Sequence, residues 1–276
     1  MGRVFRHMKV NAAFGLLVLL ALLFLALFGG RLAPYDPMAL DLGARLTGPG
    51  PAHLLGADEF GRDTLSRLLA GAEASAWIAF TTLAFALASG MVIGLVAGFF
   101  RGPVDRLLMV VNDAFLAFPG LLLALGIMAI YGASSSGIIV ALGLAYMPAV
   151  VRVTRSAVLS IRELEFVEAS IVIGNSEVAT VARHVLPNAI PPLTVLATTM
   201  FGWIILAEAG LSFLGLGVPP PQPSWGNMLA SARPYITQSP LLIVLPGLCI
   251  TITLLGINLL GDALRDFADP KNAGRE

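Results

Sequence analysis

Three acids stand in or at the edge of otherwise charge-free stretches of this 276-residue chain: Asp113, Glu208 and Asp262. A carboxylate in an apolar run is costly unless it is paired or solvated, so each is a candidate for substrate or ion passage. Asp262, close to Arg265 and Asp266, reads as a solvated acid at an interface. Asp113, beside Asn112, reads first as a partner for a neighbouring helix and second as a pathway group. Glu208, two residues before the helix-ending Gly210, is the stronger translocation-pathway candidate, with a buried hydrogen bond to a partner subunit as its competing role. Other chemistries lack their residues. Neither lysine, Lys9 or Lys271, follows a glycine-rich loop, so the phosphate-cradling motif is missing and the chain has no ATP site of its own. The histidines His7, His53 and His184 form no paired metal motif, and His53 reads as an exposed loop residue. Cys249, alone between Leu248 and Ile250, suits packing and excludes a disulfide or a cysteine metal site. No nucleophile and base are set together inside the apolar stretches, and no cofactor or metal site is expected in this chain.

The elements that must position these acids are membrane spans. The residues are 57% hydrophobic and 12% charged, with a mean hydropathy of +0.85, far from the roughly 25% charged of soluble domains. Formal net charge is zero, which gives no basic excess for nucleic acid. A span needs about 20 apolar residues. The charge-free intervals are 10–30, 74–100, 114–151, 184–207, 209–232 and 234–261. As one helix, 114–151 would run about 57 Å, nearly twice the hydrocarbon core, so it folds back at Tyr131-Gly-Ala-Ser-Ser-Ser-Gly137. The interval 209–232 contains Pro219-Pro220-Pro221-Gln222-Pro223 and reads as a loop.

Six spans are therefore expected, at roughly 10–30, 74–100, 105–130, 138–156, 188–210 and 239–261. The first follows Arg3, Arg6 and Lys9; its 21 apolar residues exceed a signal peptide's core, and an uncleaved span is expected. With the N-terminus inside, inner segments carry 12 Lys and Arg and outer segments five, the bias of a cytoplasmic N-terminus. Two connections are longer than a helix bundle requires. The outer one, 31–73, places Asp58 or Asp63 to cap a short surface helix. The inner one, 157–187, is the only substantial cytoplasmic loop. Gly90, Gly94 and Gly98, spaced by four, make one small-residue face for a close helix contact.

The inner loop reads Glu165-Phe-Val-Glu-Ala-Ser-Ile-Val-Ile-Gly-Asn-Ser-Glu-Val-Ala-Thr-Val-Ala-Arg-His-Val-Leu-Pro-Asn188. Glu168 and Ala169 suit a short helix, Gly174 permits a sharp break, and Pro187 suits the first turn of the next span. This pattern resembles the Glu-Ala-Ala loop of binding-protein-dependent ABC importer permeases, matched at Glu168, Ala169, Gly174, Leu186 and Pro187. Ser170 replaces the second alanine, and His184 stands where isoleucine is usual. Three further segments are similar to the same family: His53 to Leu68, Leu211 to Met228, and Asn258 to Asp266. Together they run from about Pro34 to Pro270 and resemble the second permease subunit of the dipeptide, oligopeptide and nickel importers.

The resemblance implies an all-α polytopic membrane protein with the type I ABC importer permease fold: six transmembrane helices and cytoplasmic coupling helices. Its expected parts are a cytoplasmic N-terminus (1–9), a first span (10–30), an extracytoplasmic segment (31–73), a core transmembrane domain (74–270) and a cytoplasmic tail (271–276). It implies a heterodimer with a related permease in the bacterial cytoplasmic membrane. Two ABC ATPase subunits, holding ATP and Mg, would dock on the inner loops through Glu168, Ala169, Ser170, Gly174, Leu186 and Pro187. An extracytoplasmic binding protein would deliver the substrate. Peptides are the substrate class implied; a nickel or metal-chelate permease is the alternative, on the pattern Pro34-Tyr-Asp-Pro, Asp41-Leu and Arg45-Leu. An ion-driven secondary transporter is a further rival, but no paired repeat with broken midplane helices is visible.

Overall fold

In the computed structural model, which describes residues 2–268, ten α-helices account for most of the chain. They are α1 (Gly2–Phe28), α2 (Thr64–Phe100), α3 (Gly102–Leu116), α4 (Gly120–Tyr131), α5 (Ser135–Arg162), α6 (Glu165–Val172), α7 (Glu177–Thr180), α8 (Leu186–Phe213), α9 (Trp225–Ala232) and α10 (Leu241–Ala268). The tail 271–276 lies outside the described residues. Among the described residues, five stretches are long and apolar enough to cross a membrane as single units: α1, α2, α5, the run from Glu177 through α8, and α10. The bent pair α3 and α4, taken together, is also long and apolar enough to cross, which brings the count to six.

That pair corrects the continuous helix expected over 105–130. The chain bends by 89° between Leu116 and Gly120. Pro119 explains the break: it has no N–H to donate, and it drives Phe118 out of the α region. The turn expected at 131–137 is present, with Gly132 at φ +78° and the Ser134 hydroxyl capping α5 by accepting the Gly137 N–H at 3.1 Å.

Close approach of glycines sets the bundle's axis. An added Cβ at Gly90, Gly94 or Gly98 would come within 2.6, 2.5 and 2.8 Å of the Cβ atoms of Val150, Thr154 and Val158, so α2 and α5 pack almost backbone to backbone. α1 and α10 do the same at Gly15 and Gly256. The interior between them is closed by Ile78, Met128, Ile138, Leu142, Ile204 and Leu211. Because successive spans alternate in direction, one end of the bundle gathers the segment 29–63, the turn at 132–134 and the loop 214–240. The other end gathers Arg101 and the loop from Glu163 to Val185.

α2 begins at Thr64 rather than near residue 74, and Asp63 is its cap, accepting the Ser66 N–H at 2.8 Å. The short surface helix expected to lead into the second span is continuous with it, forming the first turns of a 37-residue helix about 55 Å long. Asp63 also corrects the reading of His53. The imidazole is 16% exposed, with Nδ1 3.0 Å from Asp63 Oδ1 and its ring against Tyr35. Cys249 is half-buried, among the apolar side chains of the bundle.

Candidate functional site

The loop residues singled out in the sequence come together as a compact knob at one end of the bundle. α6 carries Glu168, Ala169 and Ser170; the first two are exposed and the third is buried. Gly174 follows at φ +95°, a conformation that L side chains rarely adopt, with open space where a Cβ would stand. Ser176 caps α7 by accepting the Ala179 N–H at 3.3 Å. The chain then takes a π turn, Val181–Val185, into α8, whose first residues are Leu186 and Pro187.

Ser170, the residue that departs from the family's alanine, ties this knob together. Its Oγ lies 3.0 Å from Thr180 Oγ1 and accepts from the Asn175 side-chain amide at 3.1 Å, joining α6 to α7 across the glycine turn. Val167 and Val185, both fully buried, seat the knob on Val158, Ile161 and Phe99. Behind it, Arg162 donates to the Phe99 carbonyl and stacks on that ring, and Arg101 pairs with Glu163.

The knob exposes a group of apolar side chains beside the exposed acids Glu165, Glu168 and Glu177. Val172 and Ile173 are each 80% exposed and Val178 75%, with Phe166 and Ile171 beside them at 43% and 45%. Spacing analysis, which fixed on the Glu-Ala-Ala residues, missed this face; the signal for it was the Ile171-Val172-Ile173 run directly before a glycine.

Glu208 lies at the other end, roughly 33 Å along α8 from Leu186. Its side chain is buried within this chain, 1% exposed. Oε1 accepts from the hydroxyls of Ser212 and Ser224, each at 2.9 Å, while Oε2 has no hydrogen-bond partner among the described residues. Ser224 opens α9 with a reciprocal cap: it accepts the Asn227 N–H at 3.1 Å, and the Asn227 side chain accepts the Ser224 N–H at 2.9 Å. Trp225 donates its N–H to Ser75 Oγ and its indole N–H to the Leu68 carbonyl, both at 3.1 Å. Glu208 thus holds the start of α9 down between α8 and α2.

Asp113 lies apart from both groups. Its carboxylate accepts from Arg152 at 2.8 Å, and about two turns away on α3 Asp105 takes Arg155 in a two-pronged pair at 2.6 and 2.7 Å. These pairs fasten α3 to the inner half of α5. A cavity of about 430 Å³ opens beside them, lined by Asp105, Arg106, Asp113 and Arg155. Asp262 is exposed.

Residues 90–274 match the family described as the binding-protein-dependent transport system inner membrane component, and residues 2–49 match the N-terminal transmembrane domain of oligopeptide transport permease C. The chain belongs to this family of inner membrane transport components. Among its relatives, a putative peptide transport system permease of Brucella abortus is 42% identical over 269 residues, covering 98% of this chain and 90% of that one. The di/tripeptide transport system permease DppC of Pseudomonas aeruginosa is 45% identical, covering 97% of this chain and 90% of its own length. The nickel transport system permease NikC of Escherichia coli K12 is 41% identical, covering 95% and 94%. Among solved structures, the inward-facing MetNI methionine ABC transporter aligns at a TM-score of 0.60 with 20% identity, over 74% of this chain and 97% of that one. The all-α, multi-span permease fold is that of the family.

Proposed function

We propose that this permease is one of two membrane subunits of an ATP-driven importer that carries small peptides across the bacterial cytoplasmic membrane. Separate ABC ATPase subunits, with their ATP and Mg, dock on the knob formed by α6, Gly174 and α7. A second permease completes the pathway, and an extracytoplasmic binding protein supplies the substrate. The observation that carries this reading is the exposed apolar face of the knob, Val172, Ile173 and Val178, on a chain with no nucleotide motif. Surfaces of this kind, left apolar at a polar end of the molecule, mark protein contacts. Peptide as cargo is supported by the relatives that carry peptide permease names at 42% and 45% identity.

The knob end faces the cytoplasm in this reading, with both chain termini, on the strength of the positive-inside bias. An impermeant thiol reagent applied to intact cells should spare a cysteine placed at Ser176 and label one placed in 31–63; labelling at Ser176 reverses the orientation. Coupling is tested with Gly174→Trp. The left-handed turn is strained by any side chain, and the indole would project into the open space that a docking partner must fill. The permease pair should still assemble, while ATP hydrolysis and peptide uptake fall together. Normal ATPase stimulation in the purified Gly174→Trp complex would remove the knob from the mechanism. A nickel-importing reading is favoured by the pattern Pro34-Tyr-Asp-Pro, Asp41-Leu and Arg45-Leu and by the 41% identical nickel permease of Escherichia coli; ATP-dependent uptake of radioactive nickel in preference to dipeptides would establish it.

A further inference from the structure

The first polar group of the apolar part of α2 is Glu73, and its surroundings form a site unrelated to the clasp around Glu208. A cavity of about 440 Å³ opens at the outer end of the bundle, where the end of α1, the segment 31–63, α2, the start of α5 and the loop before α9 meet. Its walls are Glu73, Trp77, Ile78, Met38, Gln222 and Ser135, with smaller alanine and proline contacts. Glu73 and Trp77 are one helical turn apart and so lie on one face of α2, and both are exposed within this chain.

The carboxylate is nearly unused. Oε2 accepts the Gly30 N–H at 2.9 Å, and that is its single hydrogen bond among the described residues. Two oxygens offer about four acceptor positions. Arg31, next along the chain from Gly30, makes no ion pair with it among the described residues. Below Glu73 the helix is uncharged for 27 residues, 74–100, so the acid stands where water gives way to the apolar layer. A carboxylate there is stabilised by a cation that can leave water with it. Trp77, 65% exposed, adds a ring face that favours the same charge. Placement in the interfacial aromatic belt would account for Trp77 alone. It does not account for an unpaired acid on the same face at the edge of a large cavity.

We propose that this cavity binds a primary ammonium group attached to an apolar body, with Glu73 pairing the ammonium, Trp77 covering it, and Met38 and Ile78 receiving the apolar part. On the peptide-importer reading, which this proposal deepens, the ammonium is the free amino terminus of a peptide entering from outside. The Gln222 carboxamide and the Ser135 hydroxyl can both donate, as a peptide carboxylate requires. The same ammonium chemistry occurs in the headgroup of phosphatidylethanolamine.

The test uses the full complex of both permeases and both ATPases, without binding protein, in nanodiscs of phosphatidylglycerol and cardiolipin. Tryptophan fluorescence is followed during titration with Leu-Leu and with N-acetyl-Leu-Leu, and subtraction of the Trp77→Phe complex isolates the Trp77 signal. A saturable signal with Leu-Leu, weakened about ten-fold by acetylation or by Glu73→Gln, is expected, the size of one interfacial ion pair. A Glu73-dependent signal given by phosphatidylethanolamine and not by Leu-Leu retains the ammonium site and assigns it to lipid. Equal responses to the free and acetylated peptides, or no response to peptide or lipid, overturns the proposal. Should Glu73→Gln fail to assemble, the acetylation comparison on the unaltered complex still decides. ATP-driven dipeptide uptake by the same complex reconstituted in sealed proteoliposomes, with binding protein added, is the separate control: its absence sinks the importer reading and leaves the ammonium result standing.

Discussion

The two ends of this permease satisfy their polar and apolar groups in opposite ways. At the end away from the knob, the segment 31–63 folds around its own Asp58 and Arg62 together with Arg67 from the first turn of α2. Asp58 Oδ2 lies 2.6 Å from Arg62 Nε and 3.2 Å from Arg67 Nε, and these three side chains are 8%, 8% and 5% exposed. Asp58 Oδ1 also accepts the N–H groups of Phe60 and Arg62 at 2.8 and 3.0 Å. Asp63 caps α2 and faces His53. At the knob end, the ion pair Arg101 to Glu163 is open to solvent, and the prominent apolar side chains are the uncovered Val172, Ile173 and Val178. Buried charge pairs add little net stability, because desolvation offsets their attraction, but they tolerate only one arrangement. The lobe 31–63 therefore has its buried charges answered within the chain, whereas the knob leaves apolar side chains uncovered.

The largest expected effect breaks the outer half of this comparison. Asp58→Ala removes the acceptor shared by two buried guanidinium groups and two backbone N–H groups. Leaving a buried charge without its partner costs about 3–5 kcal/mol. The lobe of the Asp58→Ala protein should be cleaved by protease in residues 31–63 under conditions that leave the unaltered protein intact. Resistance equal to the parent would mean that this network is not what orders the lobe.

At the inner end the effect should be smaller and should spare the chain itself. Replacing Val172 and Ile173 together by serine removes exposed apolar groups, so the permease pair loses no internal packing. Interface residues of this kind contribute about 1–3 kcal/mol, or ten- to a hundred-fold in affinity. The affinity of the permease pair for its ATPase subunits, measured with the subunits titrated in detergent, should fall by that factor with unchanged thermal stability of the pair. Unaltered affinity would show that the apolar face is turned to lipid or to the second permease.

How much of this contrast the sequence disclosed follows from the range of the interactions. Charge-free lengths located the five spans that are single long helices, because the bilayer demands about 20 apolar residues whatever the packing. The break at Pro119 was equally local and was passed over only because the charge count ran across it. The knob was legible as Glu168, Ala169 and Gly174, since a glycine at φ +95° and a short helix are local features. The staple from Ser170 to Thr180 spans ten residues and looked like a mild departure from a pattern. Glu208 was visible as a costly acid, but its partner Ser224 lies 16 residues on, beyond a run of prolines, and only the fold brings them together. Glu73 escaped notice because it marks the edge of an apolar interval, where a charge is usually unremarkable in sequence.

The smallest effect concerns Glu59 and has a definite sign. Glu59 sits in the outer lobe beside the Asp58 network, 9% exposed, with its one ion pair, to Arg62 Nη2, stretched to 3.4 Å. Burial raises its carboxyl above the ordinary 4.5, the negative charge of Asp58 adds to the rise, and the opposing pull of its own backbone N–H, Arg62 and Arg67 falls short of cancelling it. A raised acid binds its proton more tightly in the folded lobe than in the unfolded chain. Its stabilising share is therefore complete below the unfolded value and is lost as pH climbs through the folded one. At neutral pH the ionised Glu59 is a cost to the lobe. Glu59→Gln, which keeps the shape and removes the charge, should raise the lobe's resistance to thermal unfolding at pH 7.5, and that advantage should shrink as pH falls toward the carboxylate range. Protease-monitored unfolding of the two complexes at both ends of the range compares them directly. An advantage that grew on acidification would mean that the arginines dominate Glu59 and that the lobe is held by four interlocked charges, Asp58, Glu59, Arg62 and Arg67, rather than by the Asp58 pairs alone.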